Sequence, residues 1–401
     1  MQGNERFHSV RINEDLAIVA AAKGGFSVAN PAGGSVFLRY REHRIETNGD
    51  LTWIGKTDTA LGEQTVVLTF GPDAVFGAIP TFDGNELRII SENKNSYLVE
   101  IDRQASARDK RSTVNAIAVN DLIAAPSSLE KTRRGLQARD DQADRSAAAA
   151  APTVDVFIAY TEGLRKRLGS ASAVATRINH LVSLTNQAYV DSGVKGKIRL
   201  VGSGEVAYPD ASFVPWTLVQ LAATETGDAP ASLAKIKGWR DAKKADLVNL
   251  LMNYDPAQKA CGIAFTIGQK LAPIDADDAS SGFSVVVDGG ASNSSSCPER
   301  GLAHELGHNM GLVHDRDNVS RDINGKPTPG ATAYSFGWRK DLPDNNSFAT
   351  IMAIPTATQR QLMYFSSPSL LKCNGDPCGM ANESDNVRTL NNTMSKIAAF
   401  K

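Results

Sequence analysis

The sequence predicts a small β-rich unit followed by a larger α/β (α+β) unit whose sheet is mixed and mostly parallel. Three observations lead there: short β-branched and aromatic runs across 30–101, a charged and alanine-rich stretch across 103–151, and strand–helix alternation after Pro152. With 401 residues and about 150 residues per domain, two or three domains fit. Charged residues make up 22% and hydrophobic ones 42%, which excludes disorder, collagen and coiled coil throughout the chain. A formal charge of −1 gives no reason to expect nucleic acid or an anionic membrane as partner. No stretch approaches the eighteen or so apolar residues that span a bilayer.

The first unit is expected over 1–102. Its strands are VFLRY at 36–40, LTWI at 51–54, TVVLTF at 65–70, ELRII at 86–90 and YLVEI at 97–101. Asn48-Gly49, Gly71-Pro72 and Asp83-Gly84 supply the turns between them. Residues 103–151, with Arg133, Arg134, Arg139 and Arg145, then read as an exposed connector that a protease could enter; Arg133 and Arg134 mark a processing site or are simply exposed charges, and a docked helix over 113–140 is the alternative.

The second unit is expected over 152–401. VDVFIAY at 154–160 is a buried-strand run. The helix after it presents Val174, Ile178, Leu181 and Val182 at helical spacing, starts at Ser170 or Ser172 and ends at Gly193. His180, on its apolar side, reads as a hydrogen-bonded core histidine rather than a metal ligand. KIRLVGSGEV at 197–206, a helix near 230–243, DLVNLLMNY at 246–254, GIAFTI at 262–267 and FSVVVD at 283–288 continue the alternation. A last helix begins at Ser384 or Asp385 and buries Val387, Leu390, Met394 and Ile397.

The start, MQGNERFHSV, has no apolar core of a secretory signal, so the chain is cytosolic or its signal has been removed. All four cysteines fall between 261 and 378. That clustering favours two disulfides made in an oxidising compartment, Cys261 with Cys297 and Cys373 with Cys378, over four buried thiols.

Residues 304–315 read HELGHNMGLVHD. His304 and His308 are one helical turn apart on the same face, so both rings can reach one metal ion. Glu305 is rotated about 100° from His304, too far to be a natural ligand yet able to touch a water on that ion. Gly311 can end the helix in a left-handed conformation and swing His314 back toward the same place. Three neutral imidazoles leave a fourth tetrahedral position open, which is the arrangement of catalytic rather than structural zinc. Glu305 could then serve as general base toward water and as acid toward a leaving amine.

This segment resembles the long zinc motif of the metzincin metallopeptidases, and Asp315 after the third histidine is similar to the adamalysin (reprolysin) branch. ATIMAIP at 349–355 agrees, because metzincins set a methionine turn beneath the metal and Met352 is placed for it. CGIAF, FSVVVD, YSFGWR at 334–339 and YFSSPS at 364–369 look like secreted bacterial reprolysin-like enzymes, among them peptidyl-Asp metallopeptidases. WIGKTD and VVLTFGPDAVFGAIP resemble their prodomains. The resemblance implies a zincin-like catalytic domain, one zinc ion held by His304, His308 and His314, and a secreted proenzyme with its own prodomain as inhibitor or chaperone. It leaves transition-state help beyond zinc and Glu305 unassigned, since Ile354 stands where astacins carry a tyrosine.

A peptide substrate would bind extended along the edge strand Gly262, Ile263, Ala264 and Phe265. Its side-chain preference would be set behind the metal, apolar if Ala353, Ile354 and Pro355 dominate and acidic if Arg360 or Arg339 is near. A cysteine cannot block the metal in the proenzyme, because residues 1–150 contain none; Asp140, Asp141, Asp144, His8, His43 and plain steric cover are the candidates. The acidic run Asp275, Asp277 and Asp278 reads as a solvated loop; calcium is the alternative, though the run lacks the spacing and the glutamate of an EF-hand loop. Two further functions stay open: a non-catalytic zinc-bound binding or adhesion module, and hydrolysis of a non-peptide amide.

Overall fold

In the computed structural model the described residues are 5–12, 14–82, 86–101, 121–127, 131, 151–258, 260–289, 297–343, 346–356 and 358–401. Eight antiparallel strands form the N-terminal sheet: β1 (Glu5–Val10), β2 (Gly25–Ala29), β3 (Ser35–Ile45), β4 (Leu51–Thr59), β5 (Gly62–Phe70), β6 (Val75–Pro80), β7 (Glu86–Glu92) and β8 (Asn95–Ile101). Their order is β1-β8-β7-β6-β5-β4-β3-β2, and helix α1 (Glu14–Ala22) packs on β2 and β3. Five strands were expected here; β1, β2 and β6 were missed, β6 because its VFGAIP carries Gly77 and Pro80. Leu38, Leu51, Trp53, Val66 and Leu68 fill the core on one face.

The second sheet has the order β11-β10-β12-β14-β13-β9. It comprises β9 (Leu122–Ala124), β10 (Thr153–Thr161), β11 (Lys197–Val206), β12 (Leu247–Asn253), β13 (Gly262–Thr266) and β14 (Phe283–Asp288). β10 runs parallel to β11 and β12, and β12 parallel to β14. β13 is antiparallel to β14 but parallel to β9. Helices α2 (Glu162–Leu168), α3 (Ala171–Ser192), α4 (Val214–Ala222), α5 (Lys235–Lys243), α6 (Gly301–Asn309) and α7 (Asn386–Ile397) cover it. Helix α4, which starts on Val214-Pro215, was not anticipated. A small sheet, β15 (Arg339–Lys340), β16 (Phe348–Ala349) and β17 (Arg360–Gln361), lies between α6 and α7 in sequence.

Helix α3 joins the two halves. Ser170 caps its start by accepting from the Ala173 amide, and Gly193 ends it at φ +90. It is buried almost all round, including Arg177, Asn179, His180, Thr185 and Gln187, because the N-terminal sheet lies on one side and the second core on the other. Polar residues on the side facing the first sheet bond across the junction. Asn179 donates to Asn48 and Asp50 at 2.8 and 2.9 Å, Asp191 pairs with Lys56 at 3.0 Å, and the buried His180 ring meets Thr69 at 3.2 Å. His180 is thus the hydrogen-bonded core histidine expected from its position.

The exposed connector needs correcting within the described residues. Asp121 and Ala125 are buried, and β9 adds a strand to the second sheet. Three residues with no periodicity gave no signal of this. Arg133, Arg134, Arg139, Arg145, Asp140, Asp141 and Asp144 lie outside the described residues. Disulfides join Cys261 to Cys297 and Cys373 to Cys378.

Candidate metal centre and active site

Helix α6 is seated on the second sheet by Asn309, whose side-chain amide donates to Phe265 O at 3.0 Å and Phe283 O at 2.9 Å. Gly311 follows at φ +91, and a Cβ there would lie 2.5 Å from the Ala331 methyl, so both backbone and space require glycine. The chain turns back and His314 joins His304 and His308. Nε2 of His304 lies 3.2 Å from Nε2 of each of the other two, and all three rings are fully buried.

The far nitrogens fix the tautomers. Nδ1 of His304 donates to Ile351 O at 2.8 Å, and Nδ1 of His308 donates to Leu312 O at 2.9 Å. Burial keeps both rings neutral, holding His304 at about 4 and His308 below the usual histidine value. Their Nε2 atoms therefore turn lone pairs toward one another. Electron-rich atoms 3.2 Å apart repel unless a cation lies between them, and a tetrahedral ion with bonds of ~2.0 Å spaces its ligands by a similar distance. The residues fit a zinc ion.

Met352 is buried below the helix; a Cβ on Gly307 would come within 2.6 Å of its sulfur. The turn it occupies also delivers the Ile351 carbonyl that orients His304, a second role that the sequence did not suggest. Asp315 has a role too. Its carboxylate accepts from the Ile354 amide at 3.0 Å and pairs with Arg339 at 3.1 Å, tying the loop of His314 to the methionine turn.

A fourth group shares the centre. Asp121, fully buried, brings Oδ1 to 2.7 Å from His314 Nε2 and Oδ2 to 3.4 Å from His304 Nε2. Burial would raise its carboxyl, but the His314 ring first, and then the nearness of His304 and His308, hold it well below the usual range. Its backbone carbonyl accepts from the Ala264 amide at 3.0 Å, so β9 lies along β13 where a substrate was expected. Asp121 is none of the blocking candidates read from the sequence. His43 is exposed and bonded to Tyr40, and His8 lies on β1. No motif surrounds Asp121 that could have singled it out.

Glu305 is fully buried one residue after His304. Burial, then the Asp121 charge, push its carboxyl well above the usual range, and Arg300 opposes them. A Cβ on Gly262 would lie 2.3 Å from Glu305 Oε1, so the first residue of β13 leaves room for the acid. The acidic run, for which calcium was the lesser reading beside a solvated loop, already holds a cation. Lys131 reaches Asp275 at 2.8 Å and Asp278 at 2.9 Å, while Asp275 and Asp278 cap a short 3-10 helix, Ala276–Ser281.

Comparison with known proteins agrees with this architecture. Residues 150–384 match the family described as metallo-peptidase family M12B, reprolysin-like. A peptidyl-Asp metalloendopeptidase of Pseudomonas aeruginosa is 29% identical over 64% of this chain and 42% of its own length. One from Stenotrophomonas maltophilia is 27% identical over 92% of this chain and 78% of its own. The chain thus spans less than half of the first relative. A crystal structure of metalloproteinase-II from Bacteroides fragilis is similar with a TM-score of 0.46 and 12% identity, covering 90% of this chain and 95% of that one. The match over residues 150–384, more than half of the chain, identifies it as a member of the reprolysin-like M12B metallopeptidase family.

Proposed function

We propose that the chain is the latent form of a secreted zinc endopeptidase, with residues 1–102 as prodomain, 103–151 as the segment cut on maturation and 152–401 as catalytic domain. His304, His308 and His314 hold the metal and Glu305 is the general base and acid. The observation that carries the reading is the gathering of three imidazole Nε2 atoms, those of His308 and His314 each 3.2 Å from that of His304, beside a buried carboxylate.

When bound, zinc supplies a Lewis acid and can bring the pKa of a water to about 7. The chain's own residues do the rest. Glu305 takes the proton of the attacking water and passes it to the leaving amine, so no covalent nucleophile is needed. β13 offers the backbone groups of Gly262 to Thr266 to an extended peptide. In the latent chain Asp121 stands at the histidines and β9 fills that strand, so water and peptide are excluded together. The disulfides support an oxidising, extracellular setting. The printed name of the relatives supports aspartate next to the cleaved bond.

The test is cleavage of an unfolded protein by the zinc-loaded chain after limited tryptic conversion, with and without a chelator. Glu305→Ala should keep its zinc and lose about 10²–10⁴ in rate. Zinc retention with full activity in that variant would overturn the role of Glu305. Absence of metal-dependent cleavage in the parent would favour a metal-bound binding module.

A further inference from the structure

We propose that Arg177, near the start of α3, is a positioning residue for the reaction: its guanidinium fixes the chain where it enters α6 and so sets Glu305 and the histidines in place. The inference rests on the zinc endopeptidase reading and adds to it a residue remote from the metal. Helix α6 opens on Arg300-Gly301, without the Ser, Thr, Asp or Asn that usually holds a helix start. Its far end is tied to the sheet by Asn309. The near end needs a hold of its own.

Arg177 supplies it. Nη1 and Nη2 donate to the two carboxylate oxygens of Glu299 at 2.6 and 3.1 Å, and Nε and Nη2 donate to Asp288 Oδ1 at 2.9 and 2.6 Å. Glu299 stands two residues before Gly301, the first residue of α6, and Asp288 is the last residue of β14. One planar fork thus sets the entry to α6 against both α3 and the sheet, and its two-point geometry fixes rotation as well as distance. All three side chains are buried. Two other ties close the loop between β14 and α6: the Cys297 amide donates to Gly289 O at 2.8 Å, and Cys297 is joined to Cys261. Both stop at Cys297, short of the helix. His180 Nε2 and Arg88 Nε also face Glu299, at 3.7 and 3.9 Å. Arg88 comes from the N-terminal sheet, whereas Arg177, Asp288 and Glu299 all lie within 152–401, so the clamp is intrinsic to the catalytic unit. Glu305 follows Glu299 by six residues, and a shift or turn at the entry passes along the helix to it and to His304. Misplacement of a reacting group by ~1 Å can cost roughly 10²-fold in rate.

The experiment compares the parent with Arg177→Lys, which keeps the charge and loses the fork, and Glu299→Gln, which keeps the shape and loses the charge. Hydrogen exchange is read first, on the full zinc-loaded chain. In both variants the His304 and Glu305 amides should exchange about tenfold faster or more, while the Met310 and Gly311 amides, beside the Asn309 anchor, keep the parent's rates. After limited trypsin treatment, kcat for a peptide that the parent cuts should fall about tenfold or more, with KM within about twofold and zinc content unchanged. The double variant should be no slower than the worse single one, because both break the same contact. If Arg177→Lys does not fold, Glu299→Gln carries the same expectations. Exchange that rises equally at all slow amides, or parental exchange and kcat in the folded variants, would overturn the assignment and leave the peptidase reading intact. A parent that cuts no peptide in a zinc-dependent way would overturn that reading instead, and the exchange result would still judge the clamp.

Discussion

The histidine helix and the segment that lies against it, the proposed block, meet at the same atoms but owe their places to different physics. Helix α6 and its return are local: three histidines within eleven residues, a glycine at positive φ and an asparagine bonded to two strands. Among the described residues, Asp121 and β9 have no such internal support. Their position comes from the partner surface, through the Ala264 amide, the Thr266 carbonyl and the salt bridges of Lys131. The difference teaches that a rigid site and a removable block need different kinds of stability. A unit held through its partner surface can leave without unfolding what remains.

Breaking the block should have the largest effect. Asp121→Ala removes charge-assisted contacts worth about 1.5–3 kcal/mol, so affinity of the unprocessed zinc-loaded chain for a small hydroxamate should rise roughly 10–100-fold by that arithmetic. Protein cleavage should still await conversion, because β9 and the N-terminal sheet cover the cleft. Unchanged hydroxamate affinity would mean that Asp121 does not guard the metal.

The rigid side of the comparison is sharpened by Gly262→Ala. The new methyl meets the Glu305 carboxyl, and overpacking of this kind costs about 1–3 kcal/mol. After conversion, kcat should fall about tenfold or more while zinc content stays that of the parent. Loosening the anchor instead, Lys131→Met should speed hydrogen exchange at the Ala264 amide by about tenfold, at roughly 1.4 kcal/mol per factor of ten, and leave the α6 amides unchanged.

Acid should act most weakly, and through the junction. Burial, then Arg177, hold His180 well below the usual histidine value, with Asp288 opposing; Thr69, Phe76 and Glu299 also face the ring. The folded chain keeps this ring neutral while the unfolded chain takes up a proton below about pH 6.5. Stability is therefore lost as pH falls from about 6.5, by at most ~1.4 kcal/mol per unit. A His180→Gln chain should show a flatter dependence between pH 6.5 and 5 in urea unfolding.

Legibility in the sequence follows the same division. The helix, its glycine, the methionine turn and the core histidine could be read because each depends on neighbours in sequence or on helical spacing. Asp121 could not, since a single aspartate among 44 acidic residues becomes distinctive only when the chain folds back over a site more than 180 residues away. The partner of the acidic run at 275–278 was hidden for the complementary reason: its cation is Lys131, distant in sequence and near in space.

The central claim is tested most directly by the anomalous difference map of a crystal of the unprocessed chain loaded with zinc. One peak bonded to Nε2 of His304, His308 and His314 and to a carboxylate oxygen of Asp121 is the predicted result. Zinc held elsewhere, or held by the three rings with Asp121 turned away, would contradict it.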